Sequence, residues 1–210
     1  MIIPKLHYIS QGSSPKEHLE NIQKACTSGA ELVQLHLKNI SEKKLLKLAT
    51  EAREITSHFQ TRLIINADYK IAKIIKADGI HLEQTDVCPT IARKHLYTWQ
   101  MVGGTASTLQ DCETLIGKDV DYISLSPFRS ETTKNDLGLN GYTLITEALN
   151  TETPIIGFGD ITLEDVKSIL ETGISGIAVA SEITRNFDSI KTFNQLLNAS
   201  ATAEKRHSFK

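Results

Sequence analysis

Along this sequence, apolar runs of strand length alternate with longer segments of helical period, and no intervening stretch is long enough to mark a domain boundary. Lys5–Ser10 reads as the first strand and Pro15–Ser28 as the helix after it, with Ser14 an N-cap candidate just before Pro15 at the first helical position. Glu31–Leu37 is the next strand. Ser41–His58 follows as a long amphipathic helix whose Leu45, Leu46, Ala49, Ala52 and Ile55 share one face. The pairs continue as Arg62–Asn66 with Tyr69–Lys76, and Gly79–Leu82 with a helix near Thr90–His95. A strand beginning at Gln100–Gly103 then precedes the helix Thr108–Ile116, and Asp121–Ser126 precedes Gly141–Leu149. Thr153–Phe158 leads to Leu163–Glu171, flanked by Thr162 as N-cap and Gly173 as C-cap. The last pair is Gly176–Ala180 with Phe187–Leu197.

Strands rich in Ile, Val and Leu, without clean alternation, suit a parallel sheet covered on both faces. Eight strand–helix units in a row predict a closed (β/α)8 TIM barrel, α/β in class, forming a single domain over residues 1–198 with a polar tail at 199–210. The chain's 210 residues fall short of the ~250 of a typical barrel, so the loops must be lean. The competing architecture is an open doubly wound sheet; no G-x-G-x-x-G follows the first strand to support it.

A net charge of −2 leaves no basic footprint for nucleic acid, although a local positive pocket is compatible with it. Cys26, Cys88 and Cys112 are odd in number and far apart, with no zinc spacing, which suits a reduced, cytoplasmic protein. The start M-I-I-P-K-L-H-Y carries no signal-peptide pattern, and no membrane span is expected.

In a barrel the active site lies at the C-terminal ends of the strands. The polar residues expected there are Gln34, His36 and Lys38 after strand two, which alternate and so share one side, and Asn66 after strand three. Glu83, Gln84 and Asp86 follow strand four, and Thr105 ends strand five. Strand six opens into Tyr122–Lys134, which delivers Ser, Thr, Thr and Lys to its tip, a composition suited to an anion. Gly157, Gly159 and Asp160 close strand seven and Ser181 closes strand eight; small loops leading into helix N-termini are where barrels often hold phosphate. Asp86 reads equally as a helix N-cap, and His81, within a buried strand, as a hydrogen-bonded core residue.

Six motifs in order give the chain a resemblance to the thiamine phosphate synthase superfamily, which includes the TenI-type thiazole tautomerases. V-Q-L-H-L-K resembles the family's V-Q-L-R-E-K. L-I-I-N-A-D with A-D-G-I-H-L-E-Q-T-D resembles its I-I-N-D segment and A-D-G-V-H-L-G-Q-x-D. M-V-G-G-T-A-S, D-Y-I-S-L-S-P-F-R-S-E-T-T-K, P-I-I-G-F-G-D-I-T and G-I-S-G-I-A-V-A-S-E-I match the segments at strands five to eight. The resemblance implies a transferase of thiamine biosynthesis that joins hydroxymethylpyrimidine diphosphate to thiazole phosphate and releases pyrophosphate. It implies that Gln34, Lys38, Asn66 and Lys134 hold the pyrimidine diphosphate, with Thr105 beside the pyrimidine and Asp86 on a Mg2+ ion. Thr132, Thr133, Gly159, Ala180 and Ser181 would hold the thiazole phosphate. The partners expected are phosphorylated small molecules and, for a barrel of this size, a second copy in a homodimer.

The chain also departs from the family pattern. His36 stands where the family has Arg, and a neutral imidazole lacks the permanently charged fork. Ala67 stands where it has a second magnesium Asp, Leu37 replaces an acid, Glu83 replaces Gly, and Glu131 replaces a phosphate-binding Thr. Three activities are compatible with these residues: the synthase, with Lys38, Lys134 and His36 in the catalytic set; a TenI-like tautomerase using His36 as acid or base, although Pro127 occupies the place of the tautomerase-type His; and a non-catalytic phosphate-ligand binder.

Overall fold

A computed structural model describes residues 2–130, 136–149 and 151–198. Eight strands run in chain order: β1 (Leu6–Ile9), β2 (Leu32–Leu35), β3 (Arg62–Asn66), β4 (Gly79–Leu82), β5 (Met101–Ala106), β6 (Tyr122–Leu125), β7 (Ile155–Phe158) and β8 (Gly176–Val179). Each is parallel to its neighbour, and β1 pairs with β8, so the sheet closes into a barrel. The (β/α)8 architecture expected from the sequence is the one observed.

The helices are α1 (Pro15–Thr27), α2 (Glu42–Phe59), α3 (Tyr69–Ile74), α4 (Pro89–His95), α5 (Leu109–Ile116), α6 (Gly138–Ala148), α7 (Val166–Glu171), α8 (Ser181–Arg185) and α9 (Ser189–Leu196). Their ends follow local chemistry. Ser14 accepts the Glu17 N–H at 3.2 Å, as the sequence suggests. Thr108 and Asp111 form a reciprocal capping box on α5. Thr162 and Asp165 form another, but on a single 3₁₀ turn, Leu163–Asp165, that precedes α7. Gly173 follows α7 at φ +88°, a conformation that costs glycine little. Several boundaries shift by a residue or two from expectation, and two further differences are larger. α6 begins at Gly138 rather than Gly141, and the final segment contains α8, a short helix starting at Ser181, before α9.

Along each strand, side chains alternate between two buried layers. Val33, Leu35, Leu63, Ile65, Ile80, Val102, Ile123 and Ile177 belong to the large apolar cluster under the helices. Their neighbours face the barrel axis, where Leu32, Ile64 and Met101 form one cluster with Ile3 against it, and Ile9, Tyr122, Ile156 and Ala178 form another. The Tyr122 ring fills the space beside Gly103: a Cβ there would lie 2.1 Å from the Tyr122 Cζ. Gly157 makes the same accommodation for Tyr142, whose hydroxyl donates to Leu125 O at 2.8 Å and accepts from Phe158 N at 3.0 Å.

Two aspartates from the family-like motifs belong to the opposite end of the barrel. Asp78 Oδ2 accepts from Leu63 N at 2.7 Å and pairs with Arg53 of α2 at 2.5 Å. Asp121 Oδ2 accepts from Val102 N at 2.7 Å and pairs with Arg93 of α4 at 2.7 Å. Each carboxylate ties the start of its strand to the preceding strand and to a helix, a structural task rather than a chemical one.

Candidate active site

The C-terminal mouth of the barrel encloses a cavity of about 320 Å³. Gln34 and Asn66, from the ends of β2 and β3, line it together with His36, His81, Glu83, Thr105, Ser124 and Phe158. The inward alternation of the strands brings them there, because positions 34, 66, 81, 105 and 124 each face the axis. Gln34 Nε2 donates to Asn66 Oδ1, which fixes both amides and leaves the Gln34 carbonyl and the Asn66 amide hydrogens as further polar functions.

Of the three alternating residues after strand two, Gln34 and His36 face the cavity, whereas β2 has already ended at Leu35 when the chain reaches Lys38. Lys38 is an exposed rim residue whose Nζ lies 3.8 Å from Glu83 Oε1. His36 Nε2 lies 3.5 Å from the same oxygen. Burial is the main influence on His36 and holds its pKa below the ordinary histidine value; Lys38 adds to the depression, while Glu83 and Asp86 oppose it. The imidazole is therefore mainly neutral near pH 7, and its contact with Glu83 is a polar contact more than an ion pair. Ser10 steadies this edge: its Oγ accepts from His36 N at 3.2 Å and lies 2.9 Å from His18 Nδ1.

The loop after β4 is a tight turn. Asp86 Oδ2 accepts from Glu83 N at 2.7 Å, and Asp86 N donates to Glu83 O at 3.1 Å. Cys88, not Asp86, occupies the N-cap position of α4, without a side-chain cap bond. Asp86 lines an adjoining cavity of about 400 Å³ that shares Glu83, Gln84 and Thr105 with the first. At the neighbouring strand end, Ala67 sits at φ +63° and Asp68 caps α3 by accepting from Ile71 N at 2.9 Å. Asp68 is turned to its helix and lines neither of these two cavities.

Gly159, Ala180 and Ser181 lie at the ends of the adjacent strands β7 and β8, Ala180 preceding α8 and Ser181 opening it. Gly159, at φ +119°, allows the β6 loop to approach: a Cβ there would lie 2.9 Å from Phe128 N and Arg129 O. The expectations for Glu131, Thr132, Thr133 and Lys134 fall outside the described residues.

The floor of the cavity was less legible. His81 is buried, as expected, but it also faces the cavity and contacts the hydroxyl of Thr105, with Nε2 to Oγ1 at 2.8 Å. Ser124, Ser126 and Phe158, which lie outside the candidate set expected from the sequence, also line the cavity. The signal for Ser124 was present in Y-I-S-L, where Tyr122 and Ser124 share one side of the strand.

The model of the family described as thiamine monophosphate synthase matches residues 6–183. A thiamine-phosphate synthase of Flavobacterium johnsoniae is 38% identical over 201 residues, spanning 92% of this chain and 94% of the relative. One from Bacteroides fragilis is 30% identical, spanning 92% and 98%. Among solved structures, the thiamine phosphate pyrophosphorylase from Pyrococcus furiosus superposes with a TM-score of 0.81 at 22% identity, covering 92% of this chain and 95% of that one, a likeness of fold. With the family model spanning most of its length and such a relative 38% identical over nearly the whole chain, this chain belongs to the thiamine monophosphate synthase family.

Proposed function

We propose that the chain is a thiamine-phosphate synthase, a transferase that condenses hydroxymethylpyrimidine diphosphate with thiazole phosphate at the C-terminal mouth of the barrel. The observation that carries this reading is the convergence of Gln34, Asn66 and Thr105 from β2, β3 and β5 on one cavity, with Lys38 at its rim. In the reaction the bond from the pyrimidine methylene carbon to the diphosphate oxygen breaks, and pyrophosphate departs with the electron pair. The thiazole nitrogen then supplies its lone pair to the carbon. No acid or base needs to move a proton at the reacting carbon, so the protein's work is alignment and neutralisation of the leaving group.

Each side chain has a part in that work. Gln34 and Asn66, fixed to one another, present amide groups to the diphosphate and ring. Thr105 binds beside the pyrimidine, and Phe158 and Ile9 supply apolar surface around it. Lys38 and Lys134 counter the diphosphate charge, and His36 contributes a donor at the same edge. Thr132, Thr133, Gly159, Ala180 and Ser181 take the thiazole phosphate, where backbone N–H groups at the ends of strands seven and eight suit an anion.

Magnesium fits this arrangement as a companion of the substrate. Among the described residues no group of three His, Cys, Asp or Glu is placed to hold a metal ion. Asp86 gives one carboxylate oxygen to Glu83 N–H, which leaves acceptor capacity on the other, and one carboxylate with substrate phosphates is an ordinary magnesium environment. When bound, magnesium would spread the charge of the departing diphosphate. A reduced, cytoplasmic setting agrees with the cysteines: Cys26, Cys88 and Cys112 are free thiols.

The test is pyrophosphate release by the purified protein with both substrates, with and without magnesium. Stoichiometric pyrophosphate and thiamine phosphate support the reading, and no product at saturating substrate contradicts it. Isomerisation of a thiazole carboxylate without pyrophosphate would instead make the cavity's neutral His36 the acid–base group.

A further inference from the structure

Beneath Thr105 the barrel axis holds a connected set of polar side chains, His81, Tyr122 and His7, that the proposed chemistry does not use. Tyr122 Oη lies 3.1 Å from His81 Nδ1, and His81 Nε2 lies 2.8 Å from Thr105 Oγ1. The Tyr122 and His81 rings are stacked with centroids 5.6 Å apart, and His7 meets Tyr122 edge-on at 5.0 Å. His7 is anchored below through Nε2 to Pro4 O at 3.0 Å. Tyr122 and His7 are essentially inaccessible to solvent; His81, itself buried, and Thr105 border the cavity.

We infer that His81, oriented by Tyr122, is a positioning residue that fixes the direction of the Thr105 hydroxyl at the floor of the ring-binding cavity. The tautomer follows from counting donors. Among the described residues, the hydrogen-bond partner of the Tyr122 phenol is His81 Nδ1. If that nitrogen carried the proton, the phenol proton would be buried without an acceptor, which is expensive. The phenol therefore donates to Nδ1, and the neutral ring carries its proton on Nε2 and donates to Thr105 Oγ1. Burial keeps the ring neutral: His81 is pushed down to about 3, with His7 and His36 adding to the effect.

The Thr105 oxygen then accepts from below, and its own proton projects into the cavity. A hydroxyl locked in this way presents a donor to the ligand ring, and it favours a ring atom with a lone pair, such as an unprotonated ring nitrogen of a pyrimidine. Free rotation would let the same hydroxyl face an acceptor or a donor equally. Orientation of Thr105 thus becomes a specificity device built two layers below the contact it controls. The inference rests on the synthase reading for the identity of the ring, but the tautomer and its control of Thr105 do not depend on turnover.

The test combines a spectroscopic and a binding readout on the full chain. Long-range proton–nitrogen correlation spectra of histidine-labelled protein, with His81 assigned through His81→Gln, should show His81 protonated on Nε2 and unprotonated on Nδ1. Tyr122→Phe keeps the ring beside Gly103 and removes only the hydroxyl, so it should fold; it should shift His81 away from that pure tautomer. Calorimetric affinity for hydroxymethylpyrimidine diphosphate should fall about 5- to 10-fold in Tyr122→Phe and in Thr105→Val, on the scale of one hydrogen bond. The double variant should be no weaker than Thr105→Val alone. His81→Gln, which retains a donor near the Nε2 position, should bind better than His81→Leu. An Nδ1-protonated His81 in the unsubstituted protein, or additive losses in the double variant, overturns the inference. Loss of turnover with intact pyrimidine binding and the expected tautomer contradicts the synthase reading alone.

Discussion

Glu83 Oε1 stands 3.5 Å from His36 Nε2, so two of the positions at which this chain departs from its family's motifs meet at the cavity edge. The carboxylate also draws Lys38 to 3.8 Å. On the proposed reading, Glu83 thus competes with the substrate diphosphate for the same two side chains. Lys38 and Glu83 are both substantially exposed, so solvent screens their attraction and the arm can swing aside at modest cost.

Glu83→Gln should therefore tighten use of the pyrimidine diphosphate. Removing one negative charge at the mouth is expected to lower its KM about 3- to 10-fold, with kcat nearly unchanged. Steady-state kinetics over a range of ionic strength checks this, because the advantage should shrink as salt rises. A KM that rises in Glu83→Gln would show that the carboxylate helps rather than competes.

Protonation of His36 should work in the same direction. Its pKa lies below the ordinary histidine value, so the imidazole gains charge only as pH falls beneath the usual histidine range. The charged and titratable groups around it are Glu83, Lys38, Asp86 and His18, and of these Glu83 and Asp86 favour the charged form. Acidification is expected to lower the KM for the diphosphate substrate. The trend should disappear in His36→Gln, measured as KM against pH on both proteins.

Acid should also weaken the fold. His7 is pushed down to about 4 and His81 to about 3, in each case chiefly by burial. Unfolded histidines titrate near 6.5, so between that value and the folded pKa the unfolded chain binds more protons, and stability falls as pH falls. Each histidine should contribute a slope of about 1.4 kcal/mol per pH unit in that window. Denaturant melts between pH 7 and pH 4.5 check this. His7→Gln should flatten the dependence, and an unchanged slope would show that His7 does not enter the barrel uncharged.

At the other end of the barrel, Asp121→Ala should cost stability without touching chemistry. It removes the acceptor for Val102 N–H and the carboxylate beside Arg93. A loss of about 2 kcal/mol is expected from these partly buried, charge-assisted bonds. For a chain of this size that corresponds to a fall in Tm of about 4–8 °C. Kinetics below the transition should match the unsubstituted protein.

The barrel was legible because its signal is repeated: each apolar run marked a strand, and β3 and β4 fell where the sequence placed them. Alternation within strands was not legible, because both faces are buried. Val33 beneath the helices and Leu32 on the axis are equally apolar. α8 was missed because Ser181–Arg185 is a single short turn with no apolar period. Gln34, His36, Asn66 and Thr105, expected from their places at strand ends, do line one cavity. Lys38 was drawn too far inward, because alternation was extended past the end of β2. The meeting of His36 with Glu83 is a relation between β2 and β4, strands that are not neighbours in the sheet, and no local pattern encodes it.

The most direct measurement is pyrophosphate release with each substrate alone and with both together, repeated for Lys38→Ala. Release should require both substrates, yield thiamine phosphate in equal amount, and fall at least about tenfold in kcat/KM when the rim ammonium is removed. Release from the pyrimidine diphosphate without thiazole phosphate, no release at all, or full activity in Lys38→Ala would contradict a synthase site at the mouth of this barrel.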